Sequence, residues 1–136
     1  MTGYIGDPER TATVLRDNTL YTSDLGRIDE EGLLHLAGRQ DDVINVGGFK
    51  VSPTEVEDAA MSYPGISDCV CTSVSHPITG RALKLLVVLK DGEVLDKRAI
   101  ALFLRSKLET YKVPMAYEQI DRVTRTFNGK IDRKQY

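Results

Sequence analysis

A nearly continuous apolar segment at residues 83–89, interrupted only by Lys84, constrains the fold more than any other feature of the sequence. It predicts a strand at the centre of a sheet, ended by the turn residues Asp91 and Gly92. The chain has 136 residues, of which 41% are hydrophobic and 28% are charged. These values are ordinary for one compact globular domain, and they exclude disordered and collagen-like chains.

The residues before this strand predict a hairpin followed by a helix. A pair of glycines at residues 47–48 separates two short apolar segments and suits a two-residue hairpin turn. Ser52, Pro53 and Glu55 then form a capping box, the pattern that starts a helix. The buried face of this helix comprises Val56, Ala59, Ala60 and Tyr63. A Pro-Gly pair at residues 64–65 is expected to end it.

Three further elements are predicted in the rest of the chain. Residues 69–75 predict a strand, and a short strand is expected at residues 117–123. Between them, Asp96 can cap a second helix. The buried stripe of that helix comprises Ile100, Phe103, Leu104 and Leu108. Residues 41–136 therefore predict an α+β domain with a small mixed sheet and flanking helices.

The first 40 residues have a different character, because short apolar segments alternate with turns. We expect strands at residues 13–16, 20–22, 26–28 and 33–37, with Asp and Gly supplying the turn geometry. This pattern predicts a β-meander. A short meander cannot bury a core alone, so residues 1–40 are expected to form the edge of something larger.

Charge, hydropathy and cysteine spacing narrow the function classes. The net charge of −2 disfavours nucleic-acid binding and a basic membrane-surface domain. No apolar segment approaches the ~20 residues that span a bilayer, and no signal segment opens the chain. Cys69 and Cys71 are two residues apart, which predicts buried thiols on one strand face in a reducing cytoplasm. His35 and His76 have no partner spacing that suggests catalysis or metal binding.

Four short motifs occur in order along the chain. They are Tyr-Thr-Ser-Asp-Leu-Gly at 21–26, Gly-Arg-Gln-Asp-Asp at 38–42, the segment 47–57 that ends in Pro-Thr-Glu-Val-Glu, and Asn-Gly-Lys-Ile-Asp-Arg-Lys at 128–134. Together they resemble the last motifs of the AMP-forming adenylating enzymes, which include acyl-CoA synthetases, adenylation domains of peptide synthetases and luciferases. The resemblance covers nearly the whole chain.

The resemblance implies two parts of a larger enzyme. Residues 1–40 would be the C-terminal end of the large AMP-binding domain, and residues 41–136 the C-terminal lid domain. The phosphate loop and the acid pocket of the family are absent from this sequence.

Lys130 is the catalytic residue that the resemblance implies. The family's adenylation lysine reaches the carboxylate substrate and the α-phosphate of ATP. A fixed positive charge at that place stabilises the negative charge that develops during adenylation. The alternative is a solvated lysine in a basic tail.

Asp24 and Arg39 are the nucleotide-binding residues that the resemblance implies. Asp24 would accept hydrogen bonds from ribose hydroxyls, and Arg39 would donate to ribose or phosphate oxygens. The alternatives are an aspartate that stabilises its own turn and a surface ion pair of Arg39 with Asp41 or Asp42. The family more often has glycine where Ser23 stands.

The remaining assignments concern the hinge and the thiol substrate. Asp41 matches the family's hinge residue, although it also fits an ordinary solvated acidic residue. Gly47 and Gly48 match the hairpin that admits the pantetheine arm of CoA, and Lys50 could meet a phosphate. The residues alone equally fit a hairpin turn and an exposed strand lysine.

The expected function is that of part of a cytoplasmic, ATP-dependent, AMP-forming carboxylate–CoA ligase. It would use ATP, Mg²⁺ and CoA to convert a small-molecule carboxylate to its adenylate and then to its thioester. Without the N-terminal domain, its implied partner, we expect the chain to be inactive. One alternative is an adenylation domain that loads the phosphopantetheine of a carrier protein, and another is a non-catalytic binding module with the lid fold. No membrane span, nucleic-acid partner or dedicated metal site is expected.

Overall fold

The computed structural model describes residues 1–136, apart from the side chain of Ala37. The chain forms two compact units, Met1–Asp41 and Asp42–Tyr136. The α+β class is confirmed, since the described residues form three α-helices and several small sheets.

The first unit contains one short helix and two separate antiparallel hairpins. Its elements are α1 (Pro8–Val14), β1 (Leu15–Arg16), β2 (Thr19–Leu20), β3 (Asp24–Ile28) and β4 (Leu34–Arg39). Strand β1 pairs with β2, and β3 pairs with β4, so the strands expected in a meander belong to two sheets.

Helix α1 was not predicted from the sequence. Thr13 and Val14, expected to lie in a strand, form its last turn. The Asp7 carboxylate accepts a hydrogen bond from the Arg10 amide at 2.9 Å, and Pro8 stands at the start of the helix. A capping aspartate followed by proline is a helix-start signal, but the helix has only seven residues and buries none of them.

The second unit begins with the predicted hairpin and helix. Strands β5 (Ile44–Val46) and β6 (Phe49–Val51) pair in antiparallel register. The two glycines between them have φ values of +57° and +93°, which is the left-handed region that this turn requires. Helix α2 (Pro53–Met61) follows directly.

A three-stranded sheet forms the centre of the second unit. Its strand order is β7 (Ile66–His76), β8 (Gly80–Leu89) and β9 (Ala116–Gln119). Strand β8 is central, as its apolar sequence predicts, with β7 antiparallel and β9 parallel to it. The parallel pairing requires a crossover, and helix α3 (Lys97–Arg105) lies in it. The Asp96 carboxylate caps this helix by accepting from two backbone amides.

Apolar side chains cover both faces of strand β8. The main core includes Leu83, Leu85 and Val87 on one face, packed with residues of both helices. A second cluster on the other face consists of Val70, Leu86 and Val123, with further contacts from residues of the tail. Because successive strand residues point to opposite faces, this two-sided burial explains the nearly continuous apolar segment.

Candidate functional site

Asp24 and Arg39, the two predicted nucleotide-binding residues, lie opposite each other on the β3–β4 hairpin. Arg39 Nε is 3.8 Å from Asp24 Oδ1, and Arg39 Nη2 is 3.8 Å from Asp41 Oδ2. About half of each of the Asp24 and Arg39 side chains is exposed to solvent. The hairpin therefore presents a carboxylate and a guanidinium side by side, with only loose ion pairing.

The backbone at Ser23 explains why glycine is common at this position in the family. Ser23 has a φ of +62°, a conformation that glycine adopts at little cost. Its carbonyl accepts a hydrogen bond from the Gln40 amide at 2.8 Å. This bond fixes the backbone beside Asp24 in spite of the departure from glycine.

Asp41, the predicted hinge residue, lies at the boundary of the two units. It belongs to a single turn of 3-10 helix, Gln40–Asp42, and its side chain is exposed. The next residue, Asp42, belongs to the second unit, where its Oδ2 is 3.5 Å from Arg133 Nε.

The Gly47–Gly48 turn is exposed and has an apolar cavity beside it. The Asn45 side chain accepts from the Gly48 amide at 2.9 Å and closes the turn. Gly47 and Phe49 both line the adjacent cavity, whose volume is about 250 Å³. The Phe49 ring stacks on the ring of Tyr111 with a centroid distance of 4.4 Å. Lys50 is exposed on the following strand.

Lys130 lies at the end of a tight turn and is exposed. Gly129 has a φ of +78°, and the Thr126 amide donates to the Lys130 carbonyl at 2.7 Å. Within the described residues, the Lys130 ammonium takes part in no hydrogen bond or ion pair. The turn therefore presents this cation to solvent and does not sequester it in the domain.

Sequence reasoning missed a buried ion pair close to Lys130. Glu57 is the one buried charged residue among those described, and its carboxylate accepts from Arg133 Nη1 and Nη2 at 2.7 and 2.8 Å. The Cys71 amide also donates to Glu57, at 2.7 Å. Hydrogen bonding to Glu57 raises the pKa of Arg133. The spacing of Glu57 from Pro53, Val56 and Ala60 places it on the buried face of α2, a signal that could have identified it.

Glu55 has a contact beyond the helix start, which corrects the prediction that it serves only as a cap. The Lys112 ammonium donates to the carboxylates of Glu55 and Glu109 at 2.7 and 2.9 Å. Burial lowers the pKa of Lys112, but these hydrogen bonds outweigh burial and raise it.

The cysteines and the other acidic groups show no metal-binding arrangement. No cluster of three His, Cys, Asp or Glu side chains occurs in the part of the chain that the structure describes. Cys69 and Cys71 are buried in the main core as free thiols. Burial raises the pKa of both, to about 12 for Cys69. None of the described helices is long and apolar enough to cross a bilayer.

Comparison with known families now adds to this geometry. Residues 55–130 match the family described as the AMP-binding enzyme C-terminal domain. The chain belongs to this family. The matched segment of the AMP-binding enzyme C-terminal domain runs from Glu55 on helix α2 to Lys130.

Curated relatives extend the similarity to nearly the whole chain. A long-chain-fatty-acid–CoA ligase of Bacillus subtilis is 42% identical over 135 residues, which are 99% of this chain and 24% of the relative. A feruloyl-CoA synthase of an Amycolatopsis species is 40% identical over 131 residues, 96% of this chain and 27% of the relative. The chain thus spans about a quarter of the length of the curated relatives it matches.

Solved structures share the same fold. The amide bond synthetase of Marinactinospora thermotolerans matches with a TM-score of 0.91 and 35% identity, over 99% of this chain and 27% of its own. The o-succinylbenzoate CoA synthetase of Bacillus subtilis, in complex with its acyl-adenylate intermediate, matches with a TM-score of 0.92 and 26% identity, over 99% and 28%. ATP-bound MatB of Rhodopseudomonas palustris matches with a TM-score of 0.85 and 32% identity, over 98% and 28%.

Proposed function

We propose that this chain is the C-terminal part of an AMP-forming carboxylate–CoA ligase. Residues 1–40 would complete the large AMP-binding domain, and residues 41–136 would form its lid. The acid attacks the α-phosphorus of ATP and releases pyrophosphate. The CoA thiol then attacks the carbonyl carbon of the acyl-adenylate and releases AMP.

The observation that carries this proposal is the exposed Lys130 ammonium on a hydrogen-bonded turn. During adenylation, negative charge develops on the oxygens of the α-phosphate, and a lysine can stabilise it without any proton transfer. At ~4 Å and an effective dielectric constant of about 20, the gross attraction is about 4 kcal/mol. Loss of one such stabilising group typically costs ~10²–10³ in rate.

The nucleotide would be bound by Asp24 and Arg39. Their opposed positions on the β3–β4 hairpin support this assignment, because a ribose diol suits a carboxylate and the neighbouring oxygens suit a guanidinium. The loose contacts at 3.8 Å leave both groups able to exchange partners when a nucleotide binds. The ATP-bound relative supports ATP as the nucleotide.

The thioester step would use the Gly47–Gly48 hairpin as the passage for the pantetheine arm. The apolar cavity beside Gly47 supports this assignment, since a pantetheine arm is long, narrow and largely uncharged. Lys50, exposed on the strand that follows, would meet a phosphate of CoA. Movement at Asp41 would present Lys130 and the hairpin in turn, and the unit boundary at this residue supports a hinge there.

The Mg²⁺ that would accompany ATP finds no cluster of three carboxylate, His or Cys ligands in the described part of this chain. The names of the curated relatives support CoA as the acceptor. The free, buried thiols of Cys69 and Cys71 support a reducing compartment such as the cytoplasm.

The experiment uses the full-length enzyme that carries this chain. A panel of carboxylic acids is screened for ATP-dependent pyrophosphate release, and Lys130→Ala is then compared with the wild type on the best acid. We expect adenylation to fall by ~10²–10³, while thioester formation from supplied acyl-adenylate is retained. Lys134→Ala, an exposed lysine in the same tail, is the matched control and should leave both steps unchanged.

Equal loss of both half-reactions in Lys130→Ala would contradict the assignment of Lys130. An absence of pyrophosphate release with every acid would favour a non-catalytic binding module. The acceptor is identified by AMP release with CoA, with an amine or with a carrier protein. The amine arm is included because one structural relative is an amide bond synthetase.

A further inference from the structure

The turn that carries Lys130 is anchored to the central sheet by one arginine. Arg125 pairs with Ile131 in an isolated antiparallel bridge, so these two residues form the base of the turn. Above the base, the Gly129 amide donates to the Thr126 carbonyl at 2.8 Å. The turn is a short loop on the surface, and these backbone bonds alone leave its direction weakly determined.

The Arg125 guanidinium connects this turn to strand β7. Its Nη2 donates to Oδ1 and Oδ2 of Asp68 at 2.8 and 2.7 Å, and its Nη1 donates to the Gly129 carbonyl at 3.3 Å. Gly129 is directly bonded to Lys130 in the chain. One side chain therefore joins a fixed carboxylate on the sheet to the peptide group that precedes the catalytic lysine.

The segment on the other side of Lys130 is held independently. The Asp132 amide donates to the Thr124 carbonyl at 2.9 Å, and Arg133 is held by the buried Glu57. Loss of Arg125 would thus free the turn without detaching the rest of the tail. The exposed fractions of the Arg125 and Asp68 side chains are 43% and 31%, so their ion pair adds little to global stability.

We propose that Arg125, held by Asp68, is a positioning residue for Lys130 in the adenylation step. This inference rests on the proposed role of Lys130. The guanidinium limits the directions in which the turn can point, so that the ammonium arrives at the α-phosphate with little loss of conformational freedom. Small misplacements of catalytic groups are known to cost large factors in rate.

The first test measures the turn itself, by nitrogen-15 relaxation of the 136-residue chain. In the wild type, the amides of Gly129 and Lys130 should have order parameters near 0.85, the value of rigid backbone. In Arg125→Met, which keeps an apolar stem and removes every donor, they should fall toward about 0.6. The amides of strands β7 and β8 should not change.

The second test measures catalysis in the full-length enzyme. Arg125→Met and Asp68→Asn should each lower the kcat of adenylation by roughly ten- to a hundredfold and leave thioester formation from supplied acyl-adenylate unchanged. Arg125→Lys should recover only part of the rate, because one ammonium replaces a guanidinium that spans two acceptors. Arg122→Met removes a neighbouring exposed arginine and is the matched control.

The two tests separate this inference from the proposed function. If Lys130→Ala abolishes adenylation but Arg125→Met matches the wild type, Arg125 is not a positioning residue. If Lys130→Ala has no effect, the proposed role of Lys130 itself is wrong. Equal loss of both half-reactions in Arg125→Met, or loosening of β7 and β8 amides, would assign Arg125 a merely structural role and overturn the inference.

Discussion

The Glu57 carboxylate holds the Arg133 guanidinium through two hydrogen bonds of 2.7 and 2.8 Å, across 76 residues of sequence. The same guanidinium donates to the Cys71 carbonyl at 3.2 Å, and the Cys71 amide donates back to Glu57. Helix α2, strand β7 and the tail meet at this pair. Because burial of a charge is costly unless it is paired and hydrogen-bonded, the network is expected to be sensitive to the loss of either partner.

Substitution of Glu57 by Gln should lower the free energy of unfolding by about 3 kcal/mol. The amide still accepts from Cys71, but it leaves the guanidinium of Arg133 without its counter-charge, and breaking a buried pair typically costs 3–5 kcal/mol. Urea denaturation measures this change. Asp58→Asn, on the exposed face of the same helix, is the control. A loss in Glu57→Gln no larger than in this control would show that the pair contributes little.

Substitution of Tyr117 by Phe should stabilise the second unit or leave its stability unchanged. The Tyr117 hydroxyl is the one buried side-chain polar atom without a hydrogen-bond partner among the described residues. Burial also raises the pKa of this phenol to about 12. An unsatisfied buried group costs about 1–3 kcal/mol, so its removal should recover up to about 1 kcal/mol. A clear loss of stability in a thermal melt would indicate that the hydroxyl is bonded in solution.

The stability of the protein should fall as the pH rises above about 8.5, the ordinary pKa of a thiol. Burial raises the pKa of Cys69 to about 12, so the unfolded chain releases this proton at a lower pH than the folded chain does. The contribution is complete below about pH 8.5 and is lost progressively up to about pH 12. At pH 10 the loss due to Cys69 should be about 2 kcal/mol.

Urea titrations of the wild type and Cys69→Ala at pH 7 and pH 10 measure this effect. The packing change of the substitution is present at both values of pH and cancels in the comparison. The wild type should lose more stability than the variant between pH 7 and pH 10. Equal losses would show that the Cys69 thiol titrates normally.

Substitution of Gly48 by Ala should selectively slow the thioester step of the full-length enzyme. An added Cβ at Gly48 meets no atom within 4 Å, but its φ of +93° disfavours other residues, so folding should be weakened by about 1 kcal/mol. Gly92 has a similar φ of +82° and equally open surroundings. Gly92→Ala is therefore a control for backbone strain, and it should leave both half-reactions unchanged. A similar effect of the two variants on thioester formation would contradict a passage at Gly48.

Local patterns were sufficient to predict several elements of the fold. The apolar segment around Leu85 predicted the central strand, and Asp96 predicted the start of α3, because each signal acts over a few residues. Long-range pairs were not accessible in this way. Nothing local distinguishes Arg133 from its basic neighbours, and only the fold brings it to Glu57.

The candidate site divides along the same line. Its residues were identified through short motifs, and the side-by-side placement of Asp24 and Arg39 emerged only with the register of the hairpin. Arg125 carries no such motif-level signal. Its contact with Asp68 joins residues that are 57 positions apart, so its relation to Lys130 depends on the path of the tail across the sheet.

The contact between Asp42 and Arg133, at 3.5 Å, restricts where the enzyme can bend. Asp42 is fastened to the body that carries Lys130, and it has to travel with that body as a rigid piece. Any rotation between the two units is then confined to the bonds immediately before it, in Gln40 and Asp41. A pivot this short would convert a change in very few torsion angles into a large reorientation, and it would leave little slack for intermediate positions.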